Sequence, residues 1–348
     1  LPATVFTALA LLLFLREQLV MAAVACAVLV GVKETGALVP ALFGIVLVRE
    51  RRWRESMLFL IPSLPLLVWL GLLHDRTGDW FGNTAFAQYN LEYPLNPVRL
   101  VLAVLRRGYY LFIGTGYAIG SVVLLKTWKQ TPRSRAWRIA GVFAVLHFGA
   151  MCVIGGAVLE RYLLPVLPIT LAAFANALCL LPKGWRNAAF AAMCGCSAAC
   201  IWVKPIYPFP LENNLAWTDF VSVHEDAGRY LSSHLATDAT VLTSFPFGGC
   251  MRRPELGYTE RRFQIEEVAD FTRTSLGAWR GKKIDAFAIF NSTWDPLGVN
   301  RNRGWVKFLE RFYRYEPEVD PEAVPALLGM HSVARFERRG LWIEIFQP

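Results

Sequence analysis

The chain has 348 residues, 55% of them hydrophobic, and a formal net charge of +9 at pH 7. Residues 1–203 hold the long apolar runs and contain 18 Lys and Arg against 8 Asp and Glu, whereas residues 204–348 contain 18 against 19. This distribution excludes an ordinary soluble globular protein. It also excludes a nucleic-acid-binding protein, because that function needs a basic domain that faces the solvent.

Eight apolar runs occupy the first part of the chain. They cover about 2–15, 19–32, 36–48, 57–73, 108–125, 139–158, 162–181 and 188–203. A helix needs about 20 apolar residues to cross the hydrocarbon of a bilayer. The sequence therefore predicts a multi-pass α-helical membrane domain of about eight helices over residues 1–203. Its first run lacks an initiator Met and a basic n-region, which indicates a membrane domain without its N-terminal part rather than a signal peptide.

Lys33 and Glu34 interrupt the apolar stretch 19–48. Two short helices would place this pair at the outer face, whereas one tilted helix would bury it inside the membrane. A charge at that depth costs about 2.5–3.5 kcal/mol on insertion scales. Lys33 is therefore a candidate ligand for an anionic headgroup, with Glu34 supporting it. A neutralised pair that caps two short helices is the plainer alternative.

Three connectors between the runs are strongly basic: Arg49–Arg54, Lys126–Arg138 and Lys183–Arg186. The positive-inside rule places such loops in the cytoplasm. The connectors at 73–97 and 158–161 carry nearly balanced charge and are expected on the outer side. The last run then delivers the C-terminal part to the outside. We expect a bacterial inner-membrane protein with a periplasmic or extracellular C-terminal domain.

The outer connector 74–99 is rich in aromatic and polar side chains, which suits sugar binding and equally suits a helix lying among lipid headgroups. Its candidate sugar or acceptor contacts are Asp79, Trp80, Asn83, Tyr89 and Asn90. Arg106 and Arg107, just before the next run, are supporting candidates for a phosphate. Snorkelling of both arginines to the interface is an equally good interpretation.

A second outer motif begins at Glu160 and reads ERYLLPVLP. Arg161 suits a bidentate contact with a lipid phosphate, and Tyr162 adds a hydrogen bond. Glu160 supports them, and the two following prolines distort the start of the next helix and open a cavity. The alternative is an interfacial anchor, because Arg and Tyr favour that depth in a membrane.

Three stretches together resemble the GT-C superfamily of glycosyltransferases, in particular the dolichyl-phosphate-mannose protein mannosyltransferases and the bacterial aminoarabinose transferase. Leu9–Arg16 (LALLLFLR) resembles the end of a family helix, and Gly31–Pro40 (GVKETGALVP) resembles the TKE…LLP segment. Arg161–Pro168 (RYLLPVLP) resembles the RY-LP-P start of a late helix. The likeness covers about residues 1–203, and its specificity lies in the order and spacing of the motifs.

The resemblance implies a hexosyl- or pentosyltransferase that moves a sugar from a dolichyl or undecaprenyl phosphate to a glycan, lipid or protein acceptor at the outer face. It implies Lys33, Arg161 and Tyr162 as donor-phosphate contacts that stabilise the leaving phosphate. The usual base of the family, an Asp in the first outer loop, is expected upstream of residue 1, so no catalytic residue is assigned. No cofactor is expected besides the lipid-linked sugar, which is the donor substrate. The resemblance does not decide whether a divalent metal is required.

Residues 204–348 predict a small α/β domain outside the membrane. Apolar spacing predicts helices over Asp219–Leu235 and Trp305–Tyr315 and buried strands over Ala239–Thr243 and Ile284–Asn291. Two further segments, Ser332–Phe336 and Leu341–Phe346, predict a hairpin. No nucleotide-binding or metal-binding spacing is present. The loop FPFGG after the first strand is interpreted as a plain turn rather than a binding loop.

Two other classes of function are alternatives, a transporter or flippase and a non-catalytic membrane scaffold. A transporter or flippase typically shows repeated halves and midplane Gly or Pro breaks, and no repeat is visible in the sequence. A non-catalytic membrane scaffold with an outer binding domain stays open, because the segment expected to carry the base is outside the sequence. The cysteines are expected to pack as small hydrophobes, since six of the seven lie in apolar runs.

Overall fold

The computed structural model describes residues 1–80, 95–130, 134–154, 159–202, 214–291, 293, 295, 298–299 and 302–348. The chain divides into two compact units, Leu1–Ala198 and Ala199–Pro348. The domain boundary predicted between residues 203 and 204 lies a few residues beyond this division. In the described residues the first unit is helical, and the second combines helices with a five-stranded sheet.

The α-helices described in the first unit are connected by 3-10 turns and short loops. They are α1 (Pro2–Leu15), α2 (Leu19–Val32), α3 (Leu38–Arg49), α4 (Trp53–Ser56), α5 (Leu64–Thr77), α6 (Pro97–Phe112), α7 (Tyr117–Thr127), α8 (Arg135–Ile154), α9 (Leu167–Cys179) and α10 (Lys183–Ala199). The 3-10 turns are Glu34–Ala37, Met57–Ser63, Gly114–Gly116, Trp128–Gln130 and Glu160–Leu163.

Among the described residues, fewer helices reach spanning length than the about eight predicted. Trp53–Thr77 and Arg135–Ile154 are long and apolar enough to cross a membrane, and the bent pair Pro97–Phe112 and Gly114–Gln130 makes a third if it is one span. By contrast, α1 and α2 have 14 residues each. At 1.5 Å per residue they are about 20 Å long, short of a hydrocarbon core of about 30 Å.

The predicted number of spanning helices is too high for the described residues, because bends and turns interrupt the apolar runs. The run 108–125 is divided at Thr115 and Gly116, whose φ values are 51° and 82°. A side chain at Gly116 would start 2.7 Å from the Cβ of Cys196, so this bend also requires a residue without a Cβ. The run 162–181 is shortened by the 3-10 turn before α9.

The stretch 19–48 forms two short helices rather than one tilted helix. Helix α2 ends at Val32, and α3 begins at Leu38. Lys33 between them has an extended backbone, with φ −159° and ψ 129°. Of the two interpretations left open by the sequence, the structure therefore matches the one with a break at the charged pair.

An ion-pair cluster joins the loops at the C-terminal end of α1. Arg135 donates to both carboxylate oxygens of Glu50 at 2.9 Å, and its Nη1 donates to Glu17 at 2.9 Å. Arg52 donates to Glu17 at 2.8 Å and also pairs with Glu55. Two of the basic connectors thus meet at one end of the helices, whereas Lys33 lies at the opposite end of α2.

The second unit contains five described α-helices and five strands. The helices are α11 (Ala216–His234), α12 (Phe247–Met251), α13 (Arg273–Gly277), α14 (Arg303–Tyr313) and α15 (Val324–Leu328), together with the 3-10 turns Pro254–Leu256 and Pro321–Ala323. The strands are β1 (Thr240–Ser244), β2 (Gln264–Val268), β3 (Ala286–Phe290), β4 (His331–Arg338) and β5 (Leu341–Gln347).

The sheet is mixed, with the strand order β2-β1-β3-β5-β4. Strand β1 pairs in parallel with β2 and β3, and β5 pairs antiparallel with β3 and β4. The predicted hairpin is confirmed, and Arg339 and Gly340 form its two-residue turn with φ values of 49° and 81°. Positive φ at both positions is typical of the turn that fits the twist of a hairpin.

The core of this unit forms between the sheet and α11. Phe287, Phe290 and Phe346 are at most 1% exposed, and Phe220 and Leu231 of α11 pack on the same core. The strand missed in the sequence is β2, which reads QIEEV and buries only Val268 fully. It is an edge strand, so it lacks the apolar alternation by which a strand is recognised.

Candidate functional site

Lys33 lies outside the helices, at the start of the turn between α2 and α3. Gly36 makes this turn compact: a Cβ there would lie 2.7 Å from the Cγ of Leu29. The Lys33 side chain is half-buried. Desolvation by burial lowers the pKa of Lys33, the carboxylate of Glu34 opposes this effect, and the nearby Arg161 adds to it. Arg161 is therefore close enough for its charge to affect the pKa of Lys33.

Arg161 and Tyr162 lie on the 3-10 turn Glu160–Leu163. The Nζ of Lys33 lies 4.1 Å from the centroid of the Tyr162 ring, and the Cζ of Arg161 lies 5.9 Å from it. Two cations therefore flank one phenol ring, within the range of cation–π attraction. The sequence-predicted donor-phosphate residues, which come from distant parts of the chain, are brought together.

His147 completes this group, and sequence analysis missed it. It lies on α8, is 3% exposed, and its Nε2 lies 2.9 Å from the carbonyl oxygen of Tyr162. Because a carbonyl only accepts, Nε2 carries the proton and donates this bond. The signal available in the sequence was one imidazole within an apolar run, since an ionisable residue inside such a run calls for a functional explanation.

A cavity of about 240 Å³ lies between these side chains. Its polar lining consists of Lys33, Thr35, His147, Arg161 and Tyr162, and its apolar lining includes Val32, Leu164 and Pro165. Pockets for drug-sized ligands have volumes of about 300–1,000 Å³. The cavity is therefore sized for a small group. Its lining offers two cations and hydroxyl groups, whereas the Nε2 proton of His147 is already donated to the Tyr162 carbonyl oxygen.

Among the described residues that line the cavity there is no carboxylate. Glu34 is exposed, on the turn beside Lys33. Glu160 is half-buried beside Arg161, and desolvation by burial raises its pKa to about 7, against the opposing charge of Arg106. Both residues, predicted as supporting, lie next to the cavity in the chain rather than in its lining.

The two arginines of α6 face different surroundings. The Nε of Arg106 donates to the hydroxyl of Tyr110 at 2.9 Å, and its charge acts on Glu160. Arg107 is fully buried, and its guanidinium interacts with the Cys152 thiol of α8. Neither residue belongs to the lining of the cavity. Arg106 is therefore linked to the cavity through Glu160, and Arg107 lies in the packing between two helices.

The candidates of the outer connector are only partly described. Asp79 and Trp80 follow the C-terminal end of α5 and are exposed. The Trp80 ring stacks on His74 with a centroid distance of 4.2 Å, and the Asp79 amide donates to the Thr77 hydroxyl at 3.2 Å. Neither lines the cavity. The other three candidates, Asn83, Tyr89 and Asn90, lie outside the described residues.

The second unit presents no comparable polar cluster in its described part. His224 is 2% exposed among aromatic rings, its Nδ1 lies 2.7 Å from the Phe220 carbonyl oxygen, and burial lowers its pKa to about 4. The loop after β1 leads directly into α12. No group of three or more His, Cys, Asp or Glu in the described residues is placed to hold a metal ion.

Comparison with protein-family models, curated proteins and solved structures found no significant match to this chain. The geometry of the cavity and the motifs that line it are therefore the observations that bear on function. The site they define is a small cavity, formed where apolar helices are interrupted and lined by cations from two distant motifs.

Proposed function

We propose that the chain is part of a membrane glycosyltransferase that transfers a sugar from a polyprenyl phosphate to an acceptor. The observation that carries the proposal is that Lys33, Arg161 and Tyr162 line one cavity. In the sequence they belong to the two motifs that resemble the donor-binding segments of GT-C enzymes. Independent helix caps or interfacial anchors would have no reason to meet around one anion-sized space.

In this proposal the cavity holds the phosphate of the donor. Lys33 and Arg161 neutralise its charge, and Arg161 can make a planar, two-pronged contact that a Lys cannot. Tyr162 and Thr35 add hydroxyl donors. When the bond between the sugar and the phosphate breaks, negative charge grows on the phosphate, and fixed cations stabilise it most at that moment.

The described lining contains cations and hydrogen-bond donors but no carboxylate. A general base that accepts the proton of the acceptor hydroxyl is therefore not assigned to any of these residues. The residues of the cavity have one role in the proposal: they bind and orient the donor and stabilise the leaving phosphate. In the proposal, a single displacement inverts the anomeric carbon, as the resemblance implies.

The proposal includes a location. The first unit is part of a multi-pass domain in a bacterial inner membrane, the ion-pair cluster of Glu17, Glu50, Arg52 and Arg135 lies on the cytoplasmic side, and the cavity lies on the outer side. This orientation is supported by two observations. The positive-inside rule assigns the basic connectors to the cytoplasm, and Arg52 and Arg135 of those connectors meet at one end of α1, while Leu1 and Pro2 at its other end line the cavity.

The test is binding of undecaprenyl phosphate to the purified chain in detergent, with undecaprenol as the ligand that lacks the charge. Lys33→Ala and Arg161→Ala are each expected to weaken binding about 10- to 100-fold, because a charge-assisted hydrogen bond contributes about 1.5–3 kcal/mol. Arg161→Lys is expected to recover part of the lost binding, because it keeps the charge but loses the planar guanidinium that makes a two-pronged contact.

Lys183→Ala is the matched control, because it removes an exposed cation at the start of α10, outside the cavity lining. It should bind like the unmodified chain. Equal binding of undecaprenyl phosphate and undecaprenol, or unchanged binding by the Lys33 and Arg161 variants, would show that the cavity does not hold the donor phosphate and would remove the basis of the proposal.

A further inference from the structure

Two tight turns at one end of the first unit hold a charged residue in a left-handed backbone conformation. One turn joins α1 to α2, and the other joins α3 to α4. The φ values of Glu17 in the first turn and of Arg51 in the second are both 59°. Gly usually takes such a position after a helix, because it has no Cβ to clash. A side chain kept there against strain indicates a contact or a function that requires it.

The contacts of Glu17 account for its position, whereas those of Arg51 do not. The Glu17 carboxylate accepts hydrogen bonds from Arg52 at 2.8 Å and from Arg135 at 2.9 Å. The Arg51 side chain is exposed, and within the described part of the chain it has no ion pair or hydrogen bond. Its strained position therefore has no explanation inside the first unit.

Three further arginines surround this turn. Arg16 is the C-terminal cap of α1, Arg49 is the last residue of α3, and Arg54 lies in α4. All three side chains are exposed, and none forms an ion pair with a residue that the structure describes. Together with Arg51 they form the arginine surface. It presents four guanidinium groups that are open to a ligand.

The nearby carboxylates leave the charge of the arginine surface uncompensated. Glu17, Glu50 and Glu55 all pair with Arg52 or Arg135, the two arginines of the ion-pair cluster. These pairs also hold the two turns side by side, because Arg52 of the second turn contacts Glu17 of the first. The six arginines and three glutamates at this end have a net charge of +3.

The arginine surface is adjacent to the first residues of two candidate spans. The two stretches that are long and apolar enough to cross a membrane without a bend begin at Trp53 and Arg135. These two ends are neighbours, since Arg135 bonds to Glu50 at 2.9 Å. Trp53 and Met57 beside the surface are exposed. Trp next to Arg is typical of the boundary between hydrocarbon and headgroups.

We propose that the arginine surface binds the headgroup phosphate of an anionic phospholipid. Guanidinium groups make charge-assisted, two-pronged contacts with phosphate. Clusters of four or more basic residues beside a spanning helix attract acidic lipid headgroups. A bilayer is the partner that fits, because it offers phosphates to the arginines and apolar contacts to Trp53 and Met57 at the same depth. The ion-pair cluster serves as the frame, and Arg51 keeps its strained position because it contacts the phosphate.

The test measures binding of fluorescent phosphatidylglycerol to the full chain in detergent, with phosphatidylcholine as the lipid without net charge. Arg51→Gly combined with Arg54→Gln is expected to weaken phosphatidylglycerol binding about tenfold, because each cation near an acidic surface adds to binding. Thermal stability should stay close to that of the unmodified chain, since Gly relieves the strained turn. Equal binding of the two lipids, or unchanged binding by this variant, would overturn the proposal.

Two controls separate the arginine surface from the general charge of the loops. Lys126→Gln with Lys129→Gln removes two exposed cations from another basic connector and should leave phosphatidylglycerol binding unchanged. An equal loss in this variant would contradict a site at the arginine surface. Arg51→Lys keeps a cation in the same strained position and should retain most of the binding. A loss as large as that of Arg51→Gly would contradict a contribution from its charge.

The proposal rests on the membrane location of the first unit and not on the sugar donor. Lys33→Ala and Arg161→Ala should lose undecaprenyl phosphate and keep phosphatidylglycerol, whereas Arg51→Gly with Arg54→Gln should do the reverse. Failure of the cavity to bind the donor therefore leaves this inference standing. Displacement of phosphatidylglycerol by soluble glycerol 3-phosphate would assign the arginine surface to a soluble phosphate and overturn the inference alone.

Discussion

The two units use the same apolar residue types in opposite ways. On the helical stretch Trp53–Thr77 of the first unit, Leu64, Leu67, Val68 and Trp69 are each at least 53% exposed. In the second unit, Phe287 and Phe290 are at most 1% exposed. Water drives the second arrangement, since burial of apolar surface is favourable there. The first arrangement is stable only where the surroundings are themselves apolar, as in a bilayer.

The difference extends to polar groups. In the second unit, His224 sits in an aromatic cluster with Phe220 and Phe290 and has no visible chemical role. In the first unit, Lys33, His147 and Arg161 meet in one cavity where apolar helices are interrupted. A charged group within an apolar unit is costly, so its presence there indicates a function more strongly than a polar group in a water-facing domain does.

The largest expected effect comes from a charge introduced on the apolar surface of α5. Leu67→Arg is expected to disfavour membrane insertion by about 2.5–3.5 kcal/mol. Leu256→Arg in the second unit replaces a Leu that is also exposed, by 49%, and should change stability by no more than about 0.5 kcal/mol. The fraction of full chain retained in membranes after alkaline extraction measures the first effect. Equal retention of the two variants would contradict a lipid-facing α5.

The second prediction concerns the acid sensitivity of the second unit. The pKa of His224 falls from 6.5 to about 4 on folding, because burial disfavours the charged ring. Stability from this group is complete above pH 6.5 and is lost as the pH falls through about 4. At about pH 5 the loss is about 2 kcal/mol. His224→Phe should remove this loss, measured as hydrogen exchange of β1 and β3 amides in the full chain.

If His224→Phe still loses stability near pH 5, other titrating groups are responsible for that loss. Asp270 is the natural control for that outcome. Hydrogen bonds from Ser275 and Thr272 lower its pKa despite the opposing effect of burial, so its contribution is lost only at more acidic pH. A variant in which Asp270 is replaced by Asn should therefore keep the loss near pH 5.

The third prediction sharpens the description of the cavity. His147→Leu removes the hydrogen bond to the Tyr162 carbonyl oxygen and should weaken undecaprenyl phosphate binding about two- to tenfold, because such a bond contributes about 0.5–1.5 kcal/mol. His147→Gln can donate from its amide to the same oxygen and should recover most of the binding. Equal losses in the two variants would indicate a packing role for His147 instead of a positioning role.

The smallest expected effect is at Glu160. Its carboxyl is neutral below and charged above its pKa of about 7, so a charge next to Arg161 appears as the pH rises. Binding of an anionic donor should weaken about twofold across that range, since a half-buried charge contributes about 0.5 kcal/mol. The raised pKa also means that the folded first unit is favoured most below pH 4.5 and loses this contribution as the pH rises through about 7.

The measurement at Glu160 uses a sugar-linked polyprenyl phosphate, because the unlinked monoester itself titrates near pH 6. Glu160→Gln should bind the donor equally across the range. If the pH dependence persists in that variant, the titrating group is another one, and Lys33 is then the next residue to exchange.

Local patterns in the sequence were sufficient for several elements of the second unit. Apolar spacing predicted Asp219–Leu235, close to the observed Ala216–His234, and the hairpin followed from two alternating segments around Arg339 and Gly340. Strand β2 was missed because an edge strand keeps polar side chains on both faces. The number of spanning helices was overestimated, since composition does not record where a backbone bend such as Gly116 divides an apolar run.

By itself, the sequence determined that the chain has an apolar, basic part and a polar part, and it singled out Lys33, Arg161 and Tyr162 as unusual residues for their positions. These are local properties of composition and spacing. Only the tertiary structure decided that the three residues share one cavity and that His147 joins them. Which side chains face one another depends on contacts between distant segments, and those contacts follow from helix packing that no single stretch of sequence encodes.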